Sequence, residues 1–440
     1  MIFAIRLIYN LAFPLVLLIL LPGFLVRMLK RGKYRHKFWQ RFGIYSPRVR
    51  ERIGSGRTWI HAVSVGEVLI AIKLVRALRE AEPDREFVLS TTTSTGFQLA
   101  ARAKSPWLEP VYNPLDFIFS ARRAVRTIRP GVLILVEAEV WPNIVCEARA
   151  AGAKVALVNT RLSPRSEKRF RAVRWIAAPV FNQLDILCLQ EPDDVARWEA
   201  IGLERRRLLV TGSVKFDSEA PRDAKDFRPV LRALGVPDDA PVLLGGSTFD
   251  GEEALLASAF CELRKSRPTL FLILVPRHFE RSAGIAAMLE KSGLSVARRT
   301  LPDPGAHPDV LLVNTTGELR DWYARATVAF VGKSLCARGG QNPAEPVAAG
   351  IPILFGPNMQ NFATLARQFL NHGAAIEIHD EPSLVAAAAR LLDNPDLRAD
   401  MAVRAAQCLD VHRGATARTV AVLANLSPRK IVIERPTVGK

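Results

Sequence analysis

Residues suited to acid/base and phosphate chemistry recur at one kind of position in this chain, directly after short apolar runs. Val63 is followed by Ser64-Val65-Gly66-Glu67, Val136 by Glu137-Ala138-Glu139, Val158 by Asn159-Thr160-Arg161, and Val210 by Thr211-Gly212-Ser213-Val214-Lys215. Farther along, the same position gives Gly246-Ser247-Thr248, Pro276-Arg277-His278, Asn314-Thr315-Thr316-Gly317-Glu318 and Arg338-Gly339-Gly340-Gln341-Asn342-Pro343-Ala344-Glu345. Open parallel sheets take ligands at the carboxyl ends of their strands. The first group offers carboxylates, hydroxyls and a lysine for acid/base work; the second offers arginine, paired glycines and a helix start, suited to a nucleotide phosphate. Each element has a plainer counterpart. Paired glycines punctuate ordinary turns, Glu252 and Glu253 suit the first turn of a helix, Glu137 and Glu139 share a strand face and fit a solvated loop, and His278 fits a structural role. The coincidence of so many polar strand ends is what favours a site.

For such rims to exist, the apolar runs must lie side by side. Runs rich in Val, Ile and Leu occur at residues 59–63, 87–90, 132–136, 155–158, 186–189 and 208–210, with amphipathic stretches between them, as at 68–78 and 121–128. Continuous apolar strands alternating with helices predict a parallel sheet covered on both faces. The pattern pauses over the polar, proline-bearing residues 216–238 and resumes at 242–244, 270–275, 310–313, 328–331, 353–355 and 374–378. The expected architecture is α/β, with two Rossmann-like doubly wound domains facing each other across a central cleft. The expected divisions are an N-terminal anchor 1–30, a first domain 31–215, a linker 216–238, a second domain 239–427 and a basic tail 428–440.

A chain of 440 residues exceeds one ordinary core and suits two domains. Its 49% hydrophobic and 24% charged residues exclude a disordered protein. The five cysteines show no CxxC or Cys/His clustering, so neither a zinc site nor a disulfide framework is indicated, and a reducing compartment is expected. The net charge of +18 is concentrated: residues 27–57 hold eleven Lys or Arg against Glu51 alone, which is +10 of the total. Just before them, residues 7–25 are almost wholly apolar, about the ~20 residues that span a bilayer. Basic residues after the apolar stretch argue against a cleaved signal and place the body of the protein in the cytoplasm behind a single N-terminal anchor. With Tyr34, Phe38, Trp39 and Phe42 among them, the basic residues suit an anionic lipid surface, although topology alone is a sufficient use for them. The neighbouring span accounts for the charge without nucleic acid as a partner. Pro14 and Pro22 leave open whether the helix crosses the bilayer or lies in its face.

These residues carry a family resemblance. Residues 61–67 (His-Ala-Val-Ser-Val-Gly-Glu), 137–143 (Glu-Ala-Glu-Val-Trp-Pro-Asn), 159–163 with Ser166, and 211–217 match in order and spacing. So do Ser247-Thr248 with Glu252-Glu253, Pro276-Arg277-His278 with Arg281, residues 317–319, residues 339–345, and Gly356-Pro357 with Asn361-Phe362. Across nearly its whole length the chain resembles the 3-deoxy-D-manno-octulosonic acid (Kdo) transferases of lipopolysaccharide assembly, glycosyltransferase family 30. The resemblance implies a GT-B fold on the cytoplasmic side of the inner membrane. It also implies transfer of Kdo from CMP-Kdo to the 6′-hydroxyl of lipid IVA, a tetraacylated lipid A precursor, with inversion at the anomeric carbon.

By the same resemblance Glu67 is the base, and Glu137 and Lys215 stabilise the transition state. Pro276 and Arg277 contact CMP, with Thr316, Gly317, Glu318, Asn342, Pro343 and Glu345 as the remaining nucleotide contacts. No metal and no cofactor are implied, and no Asp-x-Asp sits at a strand end. The chain departs from the family's usual His at Gln341, Met at Thr316 and Asp at Asn314. Gln can hydrogen-bond but cannot become a cation near neutral pH. Two other readings stay open: a membrane-bound GT-B transferase using a UDP-sugar and a lipid-linked acceptor, and a catalytically silent anchored protein that binds acidic lipid.

Overall fold

The structure, a computed structural model, describes residues 1–31, 37–137, 140–217, 225–301 and 307–426. The expected tail 428–440, residues 218–224 of the expected linker, Glu139, and Lys33 and Arg35 of the basic block lie outside the described residues. The chain forms two compact units, Met1–Asp217 with His412–Lys440, and Ser218–Val411.

The first unit holds β1 (Thr58–His61), β2 (Phe87–Thr91), β3 (Leu108–Tyr112), β4 (Val132–Val136), β5 (Lys154–Thr160), β6 (Ile186–Leu189) and β7 (Leu208–Val210). They pair in parallel in the order β3-β2-β1-β4-β5-β6-β7. The central strands, such as β4, are buried on both faces, which is why they read as unbroken Val/Ile/Leu runs. Consecutive crossovers run one way from β1 to β3 and the other way from β4 to β7, so the topological switch point falls between β1 and β4.

The second unit repeats the plan with β8 (Val242–Thr248), β9 (Phe271–Pro276), β10 (Val296–Arg298), β11 (Val310–Leu312), β12 (Val328–Val331), β13 (Ile353–Phe355) and β14 (Ala375–Glu377). The order is β10-β11-β9-β8-β12-β13-β14, all parallel, with its switch point between β8 and β12.

Two strands escaped the sequence reading, β3 and β10, and both are sheet edges. An edge strand tolerates Pro110, and β3 also carries Glu109, buried at 2% exposure and neutralised by Arg52 at 2.9 Å and Lys104 at 3.2 Å. A charged residue inside a strand breaks the apolar signature.

Three expectations are corrected. Residues 225–238 are not a linker but part of the second unit: they carry the helix Arg228–Ala233, and Phe227 stacks on the buried Trp322 with ring centroids 4.1 Å apart. The second unit ends at Val411, not 427. The helix Ala415–Ala424 packs on the helix Val65–Ala81 of the first unit, placing Leu423 and Val420 in a core with Val68 and Val75. Its amphipathic pattern says that one face is buried and not which sheet buries it. The basic block is also less available than expected. Arg41 is buried, donating to the Thr92 carbonyl at 2.9 Å and lying 4.5 Å from the Tyr112 ring centroid, while Arg57 pairs with Glu86 at 3.2 Å and Arg52 with Glu109.

Among the described residues one helix is long and apolar enough to cross a membrane, Ile2–Arg31, through its stretch Ile2–Ile19.

Candidate functional site

At the first switch point the turns after β1 and β4 bring two carboxylates near each other. Glu67 lies in the first turn of the helix Val65–Ala81, in a reciprocal capping box. Ser64 Oγ accepts from the Glu67 amide at 3.3 Å, and the Glu67 carboxylate accepts from the amides of Ser64 at 3.2 Å and Val63 at 2.8 Å. The side chain is 7% exposed, so its position is fixed. Each carboxylate oxygen has two acceptor directions and gives one to the backbone, which leaves one per oxygen for a ligand proton.

Glu137 directly follows β4 and has a φ of 64°, a left-handed conformation that costs a non-glycine residue about 1 kcal/mol or more. Such strain persists where surrounding contacts fix it. Here the Glu137 amide donates to the Val158 carbonyl at 2.9 Å. Burial, and then the negative charge of Glu67, push the Glu137 carboxyl above the usual carboxylate range, against the opposing pull of Lys215, Arg161 and Asn159. Burial lowers the pKa of Lys215, which Glu137 raises and Arg161 lowers further. Lys215 is solvent-exposed as a whole residue even though protein surrounds its ammonium. Its Nζ lies 5.8 Å from the Phe216 ring centroid.

The loop that carries Lys215 is held by Asn159 and Asp217, which lie in segments the sequence reading marked, and by His412, which it did not. Asn159, at φ 53°, accepts from the Val214 amide at 2.8 Å. His412, fully buried, accepts from the Ser213 amide through Nδ1 at 3.1 Å across 199 positions of sequence. Burial and then Arg418 lower the His412 pKa to about 4 against Asp217, so the ring is neutral and able to accept. The Asp217 carboxylate accepts from the amides of Gly414 at 2.8 Å and Thr416 at 2.7 Å, tying the same loop to the helix Ala415–Ala424. Only the fold brings His412 here. The Asn159-Thr160-Arg161 strand end was the one local signal.

A burial-raised pKa is also a stability statement. The ionised Glu137 costs the folded state most above its raised pKa, and that cost disappears as pH falls through the folded pKa toward the unfolded one. Glu137→Gln is therefore expected to raise the Tm at neutral pH and to lower activity, with the Tm advantage shrinking on acidification. Thermal melts of both proteins across pH 4–8 check this.

In the second unit Pro276 ends β9 and is buried, and Arg277 beside it is exposed, its amide donating to the Thr248 carbonyl at 3.1 Å. After β12, Asn342 and Glu345 meet, Asn342 Nδ2 donating to Glu345 Oε1 at 3.1 Å and Asn342 Oδ1 accepting from the Ala344 amide at 3.1 Å. Burial raises the Glu345 pKa, while Asn342, Arg320 and Arg277 lower it. The structure thus brings Arg277, Asn342 and Glu345 together, with Arg320 as a neighbour the sequence reading missed. Pro343 is the buried N-cap of a helix only five residues long, Ala344–Ala348. So short a helix offers little dipole, and the positive charge at this rim comes from the arginines. Thr316 and Gly317 form an exposed turn after β11, with Gly317 at φ 88°. Glu318 is already engaged by Thr315 at 2.7 Å and Arg299 at 3.3 Å, which makes it a support of that turn.

The glycine pair has a steric reason. A Cβ at Gly339 would lie 2.7 Å from Asn361 Nδ2, and one at Gly340 would lie 2.5 Å from Met359 Sδ; both have positive φ. Glu252 organises the start of this loop. Fully buried, its carboxylate accepts from the amides of Phe249 at 2.8 Å, Lys333 at 2.8 Å, Ser334 at 2.9 Å and Leu335 at 3.0 Å. The adjacent Glu253 receives both Nη atoms of Arg281, at 2.9 and 3.2 Å. These acids are scaffold. Glu252→Ala strands four N–H groups, that of Ser334 buried and the other three part-buried, with a cost of about 1–3 kcal/mol for each one that water cannot reach. It is expected to destabilise the second unit by at least about 3 kcal/mol, read as a lower midpoint in denaturant unfolding. Among the described residues no group of three or more His, Cys, Asp or Glu could hold a metal ion.

Comparison with known proteins identifies the family. Residues 36–218 match the family described as 3-deoxy-D-manno-octulosonic-acid transferase (kdotransferase). The chain is 36% identical to the 3-deoxy-D-manno-octulosonic acid transferase of Bordetella pertussis over 83% of its own length and 86% of the relative's. It is 30% identical to that of Chlamydophila psittaci over 91% of each, and 29% identical to that of Haemophilus influenzae over 91% of its length and 94% of the relative's. The fold is similar to the UDP-GlcNAc 2-epimerase of Neisseria meningitidis bound to UDP-GlcNAc (TM-score 0.56, 12% identity, 84% of this chain and 100% of that one). It is also similar to the glycotransferase of kitacinnamycin (TM-score 0.53, 15% identity, 85% and 100%). Such distant likeness supports the GT-B architecture alone. With these sequence relationships spanning most of its length, the chain belongs to the 3-deoxy-D-manno-octulosonic acid transferase family and is a Kdo glycosyltransferase of lipopolysaccharide biosynthesis.

Proposed function

We propose that the protein transfers Kdo from CMP-Kdo to lipid IVA with inversion, at the cytoplasmic face of the inner membrane. The observation that carries this reading is the grouping of Glu67, Glu137 and Lys215 at the switch point of the first sheet. Glu67 takes the proton from the glucosamine hydroxyl as its oxygen attacks the Kdo anomeric carbon. The bond from that carbon to the CMP phosphate breaks, and the electron pair leaves with CMP. Glu137 faces the positive charge that develops at the anomeric centre, and Lys215 meets the Kdo carboxylate or the departing phosphate.

The second unit takes the nucleotide. Arg277, with Arg320 nearby, answers the phosphate charge, and Glu345 holds ribose hydroxyls. Pro276, Thr316 and Gly317 line the base side, with Glu318 fixing their turn.

One observation favours a second assignment of the base. Burial beside Glu67 raises the Glu137 carboxyl above the usual carboxylate range, and a raised pKa suits a general base at neutral pH. The test of the reaction is the nucleotide released when lipid IVA is offered with CMP-Kdo or with UDP-sugars. Release of CMP alone, dependent on lipid IVA, supports the proposal; release of UDP would replace it with the UDP-sugar reading.

A further inference from the structure

Over residues 2–19 the helix Ile2–Arg31 is amphipathic in an inverted sense. A stripe at helical spacing (Ile2, Ile5, Arg6, Tyr9, Asn10 and Phe13) is buried or half-buried against the first unit and carries the polar groups. The opposite face exposes Phe3 at 78%, Leu7 at 55%, Leu11 at 67%, Leu15 at 63% and Leu18 at 66%.

The stripe has a built receptor. Asn143, 0% exposed, uses its whole carboxamide there. Its Oδ1 accepts from Arg6 Nε at 2.7 Å and Asn10 Nδ2 at 3.2 Å, and its Nδ2 donates to Asn10 Oδ1 at 2.8 Å and to the Asp116 carbonyl at 2.6 Å. Arg6 is also paired with Glu147, which Arg122 holds from its other side at 3.0 Å. Phe13 packs on Phe117 and Trp141, with ring centroids 5.2 and 6.5 Å away.

We infer that this helix does not cross the bilayer but lies in the plane of the cytoplasmic leaflet, its polar stripe clamped on the protein and its apolar face in anionic lipid. A crossing helix would carry Arg6 and Asn10 into or across the hydrocarbon and leave Asn143 and Glu147 without them. The receptor cannot follow the helix into the hydrocarbon, because Arg122 beside Glu147 is 48% exposed and needs water. Lying at the interface satisfies both demands. Pro14 fits the same position, since it cannot donate to the Asn10 carbonyl, and a carbonyl released in this way is hydrated at an interface but stranded in hydrocarbon.

The surrounding surface matches. Phe119, stacked on Phe117, and Trp175, on the helix Arg174–Phe181 that contacts the N-terminal helix, are 47% and 63% exposed. Arg165, Lys168, Arg169 and Arg171 of the preceding helix Pro164–Ala172 are exposed and supply charge that an anionic leaflet complements. Trp141 and Asn143 follow Glu137 closely in sequence, so the leaflet lies beside the Glu137 rim. On the lipid-acceptor reading above, on which this last step rests, a glycolipid head group enters there.

The test reads topology without transfer, so its failure would leave the reaction assignment standing. A cysteine is added before Met1 of the full-length protein, and spheroplasts are treated with a membrane-impermeant maleimide, the labelled sites being mapped by peptide mass. The in-plane helix is expected to leave that cysteine unlabelled until permeabilisation, in step with the exposed Cys261 and Cys336. Labelling in intact spheroplasts overturns the inference. As a second readout, a photo-crosslinking benzoyl-phenylalanine replaces Phe13 in native membranes. Crosslinks to the peptides containing Phe117 or Trp141 are expected, and crosslinks to lipid alone contradict the clamped geometry.

Discussion

Glu67→Gln is expected to lower Kdo transfer by about 10²–10⁴-fold, the range that general acid–base catalysis contributes, with the first unit still folded. Glutamine keeps the length of the side chain, and its one oxygen can accept from the Ser64 amide in the capping box while the Val63 amide loses its acceptor, so the helix Val65–Ala81 retains its start. What it cannot do is take a proton from the acceptor hydroxyl. The pH dependence separates the two carboxylates. If Glu137 is the base, the acid limb set by its raised carboxyl pKa disappears in Glu137→Gln and persists in the residual activity of Glu67→Gln; a limb that survives in Glu137→Gln removes Glu137 as the base. Steady-state rates of both variants from pH 5 to 9, with circular dichroism as a folding control, decide between them.

Lys215→Met is expected to lower kcat by about 10²–10³-fold, the scale of one preorganised electrostatic contact. Lys215→Arg should behave differently. The lysine works only when protonated, and burial together with Arg161 holds its pKa below the usual lysine value against the raising effect of Glu137. Activity is therefore expected to fall on the alkaline side at a pH below 10.5. Arginine stays protonated throughout that range, so its variant should lose the alkaline limb even where its rate at neutral pH is reduced. A limb unchanged in Lys215→Arg would assign that titration to another group.

Much of this architecture was legible because it depends on periodicity. Strands covered on both faces have little choice but to be apolar throughout, and β4 and β9 stand out for that reason. Residues after them sit on a rim whatever the details, so Glu67, Glu137, Lys215 and Arg277 were found as strand-end residues. Long-range partnership was not legible. No local signal joins His412 to Ser213, or tells that Asp217 caps the helix Ala415–Ala424, and the second domain was drawn too long in consequence. Charge alone did not report its own use. Arg41, Arg52 and Arg57 belong to the basic block in sequence, yet an aromatic ring and buried or half-exposed carboxylates take them up in the fold. Glu252 is the mirror case, a first-turn acid in sequence and the fully buried organiser of a loop some eighty positions away in structure.

The most direct test of the reaction is the intact mass of lipid IVA after incubation with the full-length protein in detergent and CMP-Kdo generated in situ. Mass gains equal to one or more Kdo residues, absent with Glu67→Gln, are the expected result. Unmodified lipid IVA from a protein shown to be folded would contradict the proposed donor and acceptor pair.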